Sequence, residues 1–244
     1  MIREYPPLRR RLKTRLRRFL NATVRMPLHA LHGIPVVLLA RLPEQTPINL
    51  VDVGAHDGDF TFGIACWCGL NKSVMVEPLP HKAAGLRERF RDPHYQVFEC
   101  ALAATPGKAV LLVNEMEATS SLLHLPRELP EVAQLQLGQE RRIECTQRTL
   151  DSVLAEAGLD RIDLLKIDVQ GAEHLVLAGA KATLARTRIV WTECAFKTIY
   201  DGASTFSELY TTLNQAGFQL MDLSPAWRGP TGELLQVDAL FVRP

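Results

Sequence analysis

Residues 48–60 read INLVDVGAHDGDF: an apolar run holding a single aspartate, Asp52, and then two glycines four apart, Gly54 and Gly58. A strand that ends in such a turn and enters a helix places backbone N–H groups and a helix N-terminus at the carboxyl edge of a sheet. Open α/β folds bind their ligands at that edge. Gly54 lets the chain turn sharply with no Cβ in the way, and Gly58 allows close approach where the helix begins. A dinucleotide site calls for a middle glycine between these two, and this chain has His56 there. The approach to a pyrophosphate is therefore missing, and a nicotinamide-dependent oxidoreductase becomes the disfavoured alternative.

Outward from this stretch, short runs rich in Val, Ile and Leu alternate with segments of helical spacing. The runs at 48–53, 73–77, 95–100, 162–167 and 188–193 predict strands, and 59–70, 81–91, 149–157 and 172–185 predict helices. Alternation of this kind implies a parallel sheet with helices on both faces. The C-terminal end differs: AGFQLMDL (216–223), a turn holding Pro and Gly, and then LLQVDALFVRP predict an antiparallel hairpin. Residues 101–148 interrupt the alternation, with extra strands expected in KAVLLVNE and RRIECTQRTL and a loop in ATSSLLHL.

Asp52 lies inside the first strand, and Glu77 ends the second in VMVEPLP. An acid at the end of the second strand is well placed to accept hydrogen bonds from both ribose hydroxyls of an adenosyl group. Asp52 would then receive a ligand's ammonium or the loop's own N–H groups. A ligand with a ribose and an ammonium but no pyrophosphate is S-adenosylmethionine. The contact set expected around it is Asp52, Gly54, Ala55, His56, Gly58, Glu77, Pro78, Ala101, Ser121 and Asp168.

VDVGAHDGDFT, VEPLPHKAAGL, SSLL, TLDSVL, LLKIDVQGAEHLVLAGA and a terminal DALFVR together resemble the FkbM-type family of S-adenosylmethionine-dependent methyltransferases. The resemblance covers about residues 48–243. It implies an α/β fold of the Rossmann-like class I methyltransferase type, with a mostly parallel seven-stranded sheet closed by an antiparallel C-terminal hairpin. It also implies methyl transfer, usually to a hydroxyl oxygen, with polyketides, sugars or lipid-linked glycans as typical acceptors. The chain departs from the family's habit at His56–Asp57, where Asn is frequent, and at Gln170, where Glu is frequent. The match of the SSLL block makes Ser121, with Ser120, a cofactor or substrate contact. Hydroxyls bonding the local backbone are the other reading of that loop.

Asp168 falls at the wet end of an otherwise apolar strand, beside the expected position of the methyl group. Charges inside such a strand are costly unless paired or placed at its end. Methyl transfer gains from positioning and from a base that removes the hydroxyl proton. Asp168 is the first candidate to orient or deprotonate the acceptor, followed by Glu173 and His174 in the next helix turn. Glu173 also suits a helix N-terminus electrostatically, and Lys166 has Asp168 or Glu193 as candidate partners. Asp168 and Glu193 together would suit a divalent cation only with a third carboxylate or Asn in a matching place, and no metal is assigned.

The 244 residues carry a formal net charge of +1, which hides an asymmetry. Residues 1–25 hold nine Arg and Lys against one acid, Glu4, so that segment is +8 and the remainder −7. A mildly acidic body argues against a nucleic-acid-binding core. Residues 1–45 read as a basic helical arm and 46–244 as the methyltransferase domain. Within the arm, Leu8, Leu12, Leu16, Phe19 and Leu20 would share one face of a helix. Such a helix suits an anionic membrane surface, a partner, or packing on its own domain. Peripheral membrane contact through residues 1–25 is thus one expectation. A non-catalytic membrane-associated protein with a degenerate methyltransferase domain is the rival reading. GIPVVLLARL is too short to span a bilayer and has no small-residue cleavage site. The five cysteines are scattered without metal or redox spacing, as buried small hydrophobes in a reducing compartment would be. The expected setting is cytoplasmic, with a small-molecule, sugar or lipid-linked acceptor as partner.

Overall fold

A computed structural model describes residues 34–244 apart from 44, 134 and 136. The amphipathic stripe at 8–20 and the membrane contact expected of residues 1–25 lie outside the described residues. No helix among those described is long and apolar enough to cross a membrane.

The strands are β1 (Ile48–Val53), β2 (Leu70–Val76), β3 (Tyr95–Phe98), β4 (Ala101–Leu102), β5 (Gly107–Val113), β6 (Arg141–Arg148), β7 (Ile162–Ile167), β8 (Thr187–Ala195), β9 (Gln219–Leu223), β10 (Trp227–Arg228) and β11 (Leu234–Val242). The main sheet runs β10-β11-β8-β7-β1-β2-β3, and β9 also pairs with β11. From β8 to β3 every pairing is parallel, while β11 lies antiparallel to β8, β9 and β10. The expected hairpin is therefore present as β9 and β11, with short β10 inserted in its connection. The main sheet has eight strands rather than seven because β10 adds two residues of pairing.

β1 and β7 are buried on both faces, as central parallel strands are. Helices Asp59–Cys68 and Pro80–Arg89 cover one face, where Leu50, Ile64, Leu164, Trp191 and Leu240 form one cluster and Met75, Leu86 and Phe90 another. Helices Leu150–Ala157, Glu173–Ala178, Lys181–Ala185 and Phe206–Gln215 cover the other, against Val51, Val53, Leu165, Ile167 and Val190. Ile34, Leu38, Leu39 and Leu42 pack into the first face, so the core takes in residues upstream of the boundary expected at 45/46. These four side chains bring one side of residues 34–42 into the core, while Val36, Ala40 and Arg41 stay exposed.

The helix expected over 172–185 is two helices. Gly179 separates them because the backbone of Ala103 crosses there: a Cβ at 179 would lie 2.3 Å from the Ala103 carbonyl oxygen. Residues 101–148 build a second, three-stranded sheet in the order β4-β6-β5, with β4 parallel and β5 antiparallel to β6. Leu79, Leu111 and Val113 join it to the end of β2. In the main sheet, the chain winds one way from β1 to β3 and the other way from β7 to β8. The crevice between the carboxyl ends of β1 and β7 is thus a topological switch point, where such folds place ligands. Cys68, Cys100 and Cys194 are buried, Cys66 and Cys145 half-buried, and all five are free. Burial pushes the Cys100 thiol up to about 11 and the Cys68 thiol up to about 12, leaving both inert at neutral pH.

Candidate active site

The glycine turn is wedged against the end of β7. Gly54 has φ +72°, and a Cβ there would lie 1.9 Å from the carbonyl oxygen of Asp168. Its N–H and that of Ala55 donate to the Val76 carbonyl, at 3.0 and 3.1 Å. The turn is thereby tied to β2 as well. Gly58 serves a different purpose from the one expected. A Cβ on it would meet the Phe90 ring at 2.5 Å and Leu86 at 2.7 Å, so it clears the helix Pro80–Arg89 rather than a ligand.

Asp52 is fully buried and does not line the cavity. Its Oδ2 accepts from the Thr61 hydroxyl at 2.7 Å, and its Oδ1 lies 3.3 Å from Lys166 Nζ. Lys166 donates to the carbonyl of Gly54 at 2.7 Å and approaches that of Val53 at 3.3 Å. It also faces Asp168 Oδ2 at 3.6 Å. The acid inside β1 is thus half of a buried ion pair that locks β1, β7 and the turn together. Burial works against the charge on Lys166, but Asp52 and Asp168 outweigh it, and its pKa is held above the ordinary value.

The crevice opens into a cavity of about 350 Å³, in the range of small-molecule sites. Glu77 closes its β2 side. Its Oε2 accepts from His56 N–H at 2.8 Å and its Oε1 from Leu79 N–H at 3.0 Å. Burial raises its pKa, and those two N–H groups pull it back. Ala101, Leu102, Leu111 and Leu122 form an apolar wall between the end of β3 and the small sheet. Ser121 lines the same wall but is spoken for: its hydroxyl donates to the Gln170 carbonyl at 2.7 Å and accepts from Leu123 N–H at 3.1 Å. Among the described residues, two buried polar atoms lining the cavity region, His56 Nε2 and Ser120 Oγ, have no hydrogen-bond partner. Lys82 bridges the rim, donating to Asp57 at 2.9 Å and lying 3.5 Å from Glu117. A carboxylate, an apolar slot and two unspent polar atoms fit an adenosyl group bearing a ribose and polar substituents. Ala55 and Pro78 line the cavity with them.

The opposite end carries acids. β11 sets Asp238 beside Glu193 on β8, and β8 sets Glu193 next to Asp168, which follows Ile167 opposite Thr192. Gln236 donates to Glu193 at 3.1 Å. Burial raises the Glu193 pKa well above the ordinary range, with Asp168, Glu173 and Asp238 adding to it. Asp238 is pushed up to about 6, first by burial and then by Asp168. Asp168 and Asp238 line the cavity together with Phe60 and Trp191. No sequence expectation singled out Asp238, though its setting in QVDALF has the same signature as Asp52: one acid inside an apolar strand.

Glu173 and His174 are not brought to the cavity. Glu173 is buried behind the turn after β7, accepting from Val169 N–H at 3.0 Å and Gly171 N–H at 3.2 Å. His174 is half-buried, and its Nδ1 has no partner among the described residues. Burial pushes Glu173 up to about 7 from the ordinary 4.5. The folded protein therefore keeps a proton that the unfolded chain has already lost, and stability falls as pH rises through that window. Glu173→Gln, which can still accept both N–H groups, is expected to gain on the wild type from about pH 4.5 to about pH 7 and to hold a level advantage above. Urea denaturation of both proteins at a series of pH values checks this, and parallel curves would refute it.

A family model described as the methyltransferase FkbM domain matches residues 52–220. The chain is 28% identical over 232 residues to the 2-O-methyltransferase NoeI of Sinorhizobium fredii, spanning 92% of each chain. It is 44% identical over 206 residues to the AMB antimetabolite synthetase AmbE of Pseudomonas aeruginosa, a match covering 70% of this chain and 9% of that one. Among solved structures, a methyltransferase FkbM from Methylobacillus flagellatus KT superposes with a TM-score of 0.52 at 15% identity. That match covers 81% of this chain and 44% of the other, and it speaks to the fold alone.

Proposed function

The chain belongs to the FkbM family of methyltransferases, which use S-adenosylmethionine, and from that premise we propose that it methylates a hydroxyl oxygen of a small molecule, sugar or glycolipid. The family assignment sets aside the nicotinamide-dependent alternative. The observation that carries the reading is the position of Asp168. It stands partly exposed at the junction between the Glu77 wall and the floor made by Phe60, Trp191 and Asp238. The relative NoeI is by name a 2-O-methyltransferase, which favours oxygen as the accepting atom.

S-adenosylmethionine supplies an electrophilic methyl group, and its sulfur leaves as a neutral thioether. Glu77 is the residue to accept from the ribose hydroxyls, since both its oxygens keep lone pairs beyond the N–H groups of His56 and Leu79. His56 Nε2 and Ser120 Oγ are free to meet the donor's remaining polar groups. Asp168 orients the acceptor hydroxyl and takes its proton as the oxygen bonds to carbon. Lys166, 3.6 Å away, keeps a positive charge beside that carboxylate. Phe60 and Trp191 exclude water from the acceptor end.

Isothermal titration with S-adenosylmethionine and S-adenosylhomocysteine tests the donor half of this proposal, and a wild-type protein that binds neither would sink it. It would also revive the degenerate scaffold as the better account. Glu77→Gln keeps an acceptor for one N–H group and is expected to weaken binding about tenfold. A survey of hydroxylated acceptors for formation of S-adenosylhomocysteine tests the other half. Asp168→Asn is expected to lower turnover about a hundredfold or more with little change in donor affinity.

A further inference from the structure

Asp168 and two side chains behind it, Gln170 and Tyr200, form one hydrogen-bonded line. Tyr200 is buried in the connection after β8, and its hydroxyl lies 3.1 Å from Gln170 Oε1 and 3.1 Å from the Thr119 carbonyl. Gln170 Nε2 donates to Asp168 Oδ1 at 2.7 Å. The carboxylate sets the direction of the line: it calls for the amide nitrogen, which turns Oε1 towards Tyr200, whose one phenol proton is shared between Oε1 and the Thr119 carbonyl.

The backbone holds this arrangement at a cost. Gln170 has φ +57°, a conformation that side chains other than glycine seldom adopt. Gly171 follows at φ +91°, and a Cβ there would sit 3.0 Å from Tyr200. The bare face of Gly171 therefore lies against the Tyr200 side chain. The Gln170 carbonyl in turn accepts from the Ser121 hydroxyl. Strained backbone persists where the surroundings over-determine it. Here the surroundings are Tyr200 on one side and the Thr119–Ser121 loop on the other.

We propose that Gln170 and Tyr200 are positioning residues that fix the Asp168 carboxylate. With Oδ1 held by Gln170 and Oδ2 facing Lys166, Asp168 has one orientation. The groups that face it are Lys166 from its own strand and, through Lys166, Asp52 from β1. Glu193 faces it from β8, Asp238 from β11, Glu173 from the following helix and Tyr200 from the loop. Three carboxyl groups already crowd Asp168 directly, and an acid at 170 would replace a donor with a fourth. The role of Asp168 as proton acceptor rests on the reading above, but the positioning does not.

Aspartate labelled with ¹³C at the side-chain carboxyl resolves this without an acceptor in hand. The Asp168 signal is identified by its absence in Asp168→Asn and followed against pH in the wild type, Gln170→Glu and Tyr200→Phe. Gln170→Glu is expected to move the titration of the Asp168 signal to higher pH by about one unit, the effect of a like charge in place of a donor. Tyr200→Phe, which removes only the hydroxyl, is expected to displace the Asp168 signal in the same direction by less and to leave the buried Asp52 signal in place. Curves for Asp168 that superimpose in all three proteins would overturn the proposal. A parallel titration with S-adenosylmethionine separates the two readings: wild type that fails to bind it overturns the functional assignment, whereas an unmoved Asp168 signal overturns this one.

Discussion

Gly54→Ala is expected to lose about 3 kcal/mol or more of stability and to bind S-adenosylmethionine too weakly to detect. Two costs add. A residue with a Cβ is strained at φ +72°, and that Cβ would lie 1.9 Å from the Asp168 carbonyl oxygen and 3.0 Å from its carbon. Both are backbone atoms, so no rotamer change relieves the contact. Asp168 N–H donates to the Val53 carbonyl at 3.2 Å, which pins the same backbone from the other side. Either β1 and β7 part at their carboxyl ends or the turn changes shape, and each carries His56 and Asp168 away from the cavity. Gly85→Ala is the control. It lies in the helix Pro80–Arg89 with nothing within 4 Å of a new Cβ, and it is expected to gain up to about 1 kcal/mol from helix propensity. Urea denaturation of both variants, with calorimetric titration of the first, measures the contrast. A Gly54→Ala protein of near wild-type stability would mean that the turn is not wedged.

Lys166→Met is expected to cost about 3–5 kcal/mol, because it strands the Asp52 charge in the core. Asp52 is fully buried, and among the described residues the only other group bonded to its carboxylate is the Thr61 hydroxyl. The Gly54 carbonyl loses its side-chain donor in the same step, while that of Val53 keeps the Asp168 N–H. Adding Asp52→Asn should recover part of the loss, since a neutral pair removes the stranded charge while the Gly54 carbonyl stays unserved. The double-mutant cycle reads the coupling between the two residues. Additive losses would show that the pair does not act as one unit.

What the sequence discloses and what it withholds divide along the reach of local signals. β1 and β7 are legible because strands buried on both faces read as continuous apolar runs, and their bounds match the expected 48–53 and 162–167. Glu77 is legible because its place at a strand end is a local fact, and it does line the cavity. Asp52 is not: the residue that decides its role is Lys166, on a neighbouring strand more than a hundred positions along the chain. Of the two partners expected for Lys166, Asp168 does face it at 3.6 Å, while Asp52, nearer at 3.3 Å, is not among them. Glu173 and His174 follow the right strand, but the turn at Gln170–Gly171 rotates them behind it, and a left-handed glutamine leaves no mark in a sequence. The break at Gly179 is likewise caused by a distant backbone, that of Ala103. Two strands of the small sheet, expected in KAVLLVNE and RRIECTQRTL, are present as β5 and β6, and only β4, two residues long, escapes notice.

The pairing of β1 with β7 also bears on how the protein comes into being. Leu50 meets Leu164, and Asp52 meets Lys166. A ribosome must therefore add more than a hundred residues after β1 before one side of that strand has a neighbour. Until then a strand buried on both faces in the finished domain shows an open apolar edge, the kind of surface chaperones shield. The ion pair closes the same gap: Asp52 waits uncompensated until Lys166 arrives. Contacts of such long sequence separation form slowly, so the crevice is among the last features to assemble. A ligand held there also meets Trp191 and Asp238, so it rewards in full only a chain that has emerged through β11, and its binding then favours the folded domain over shorter chains.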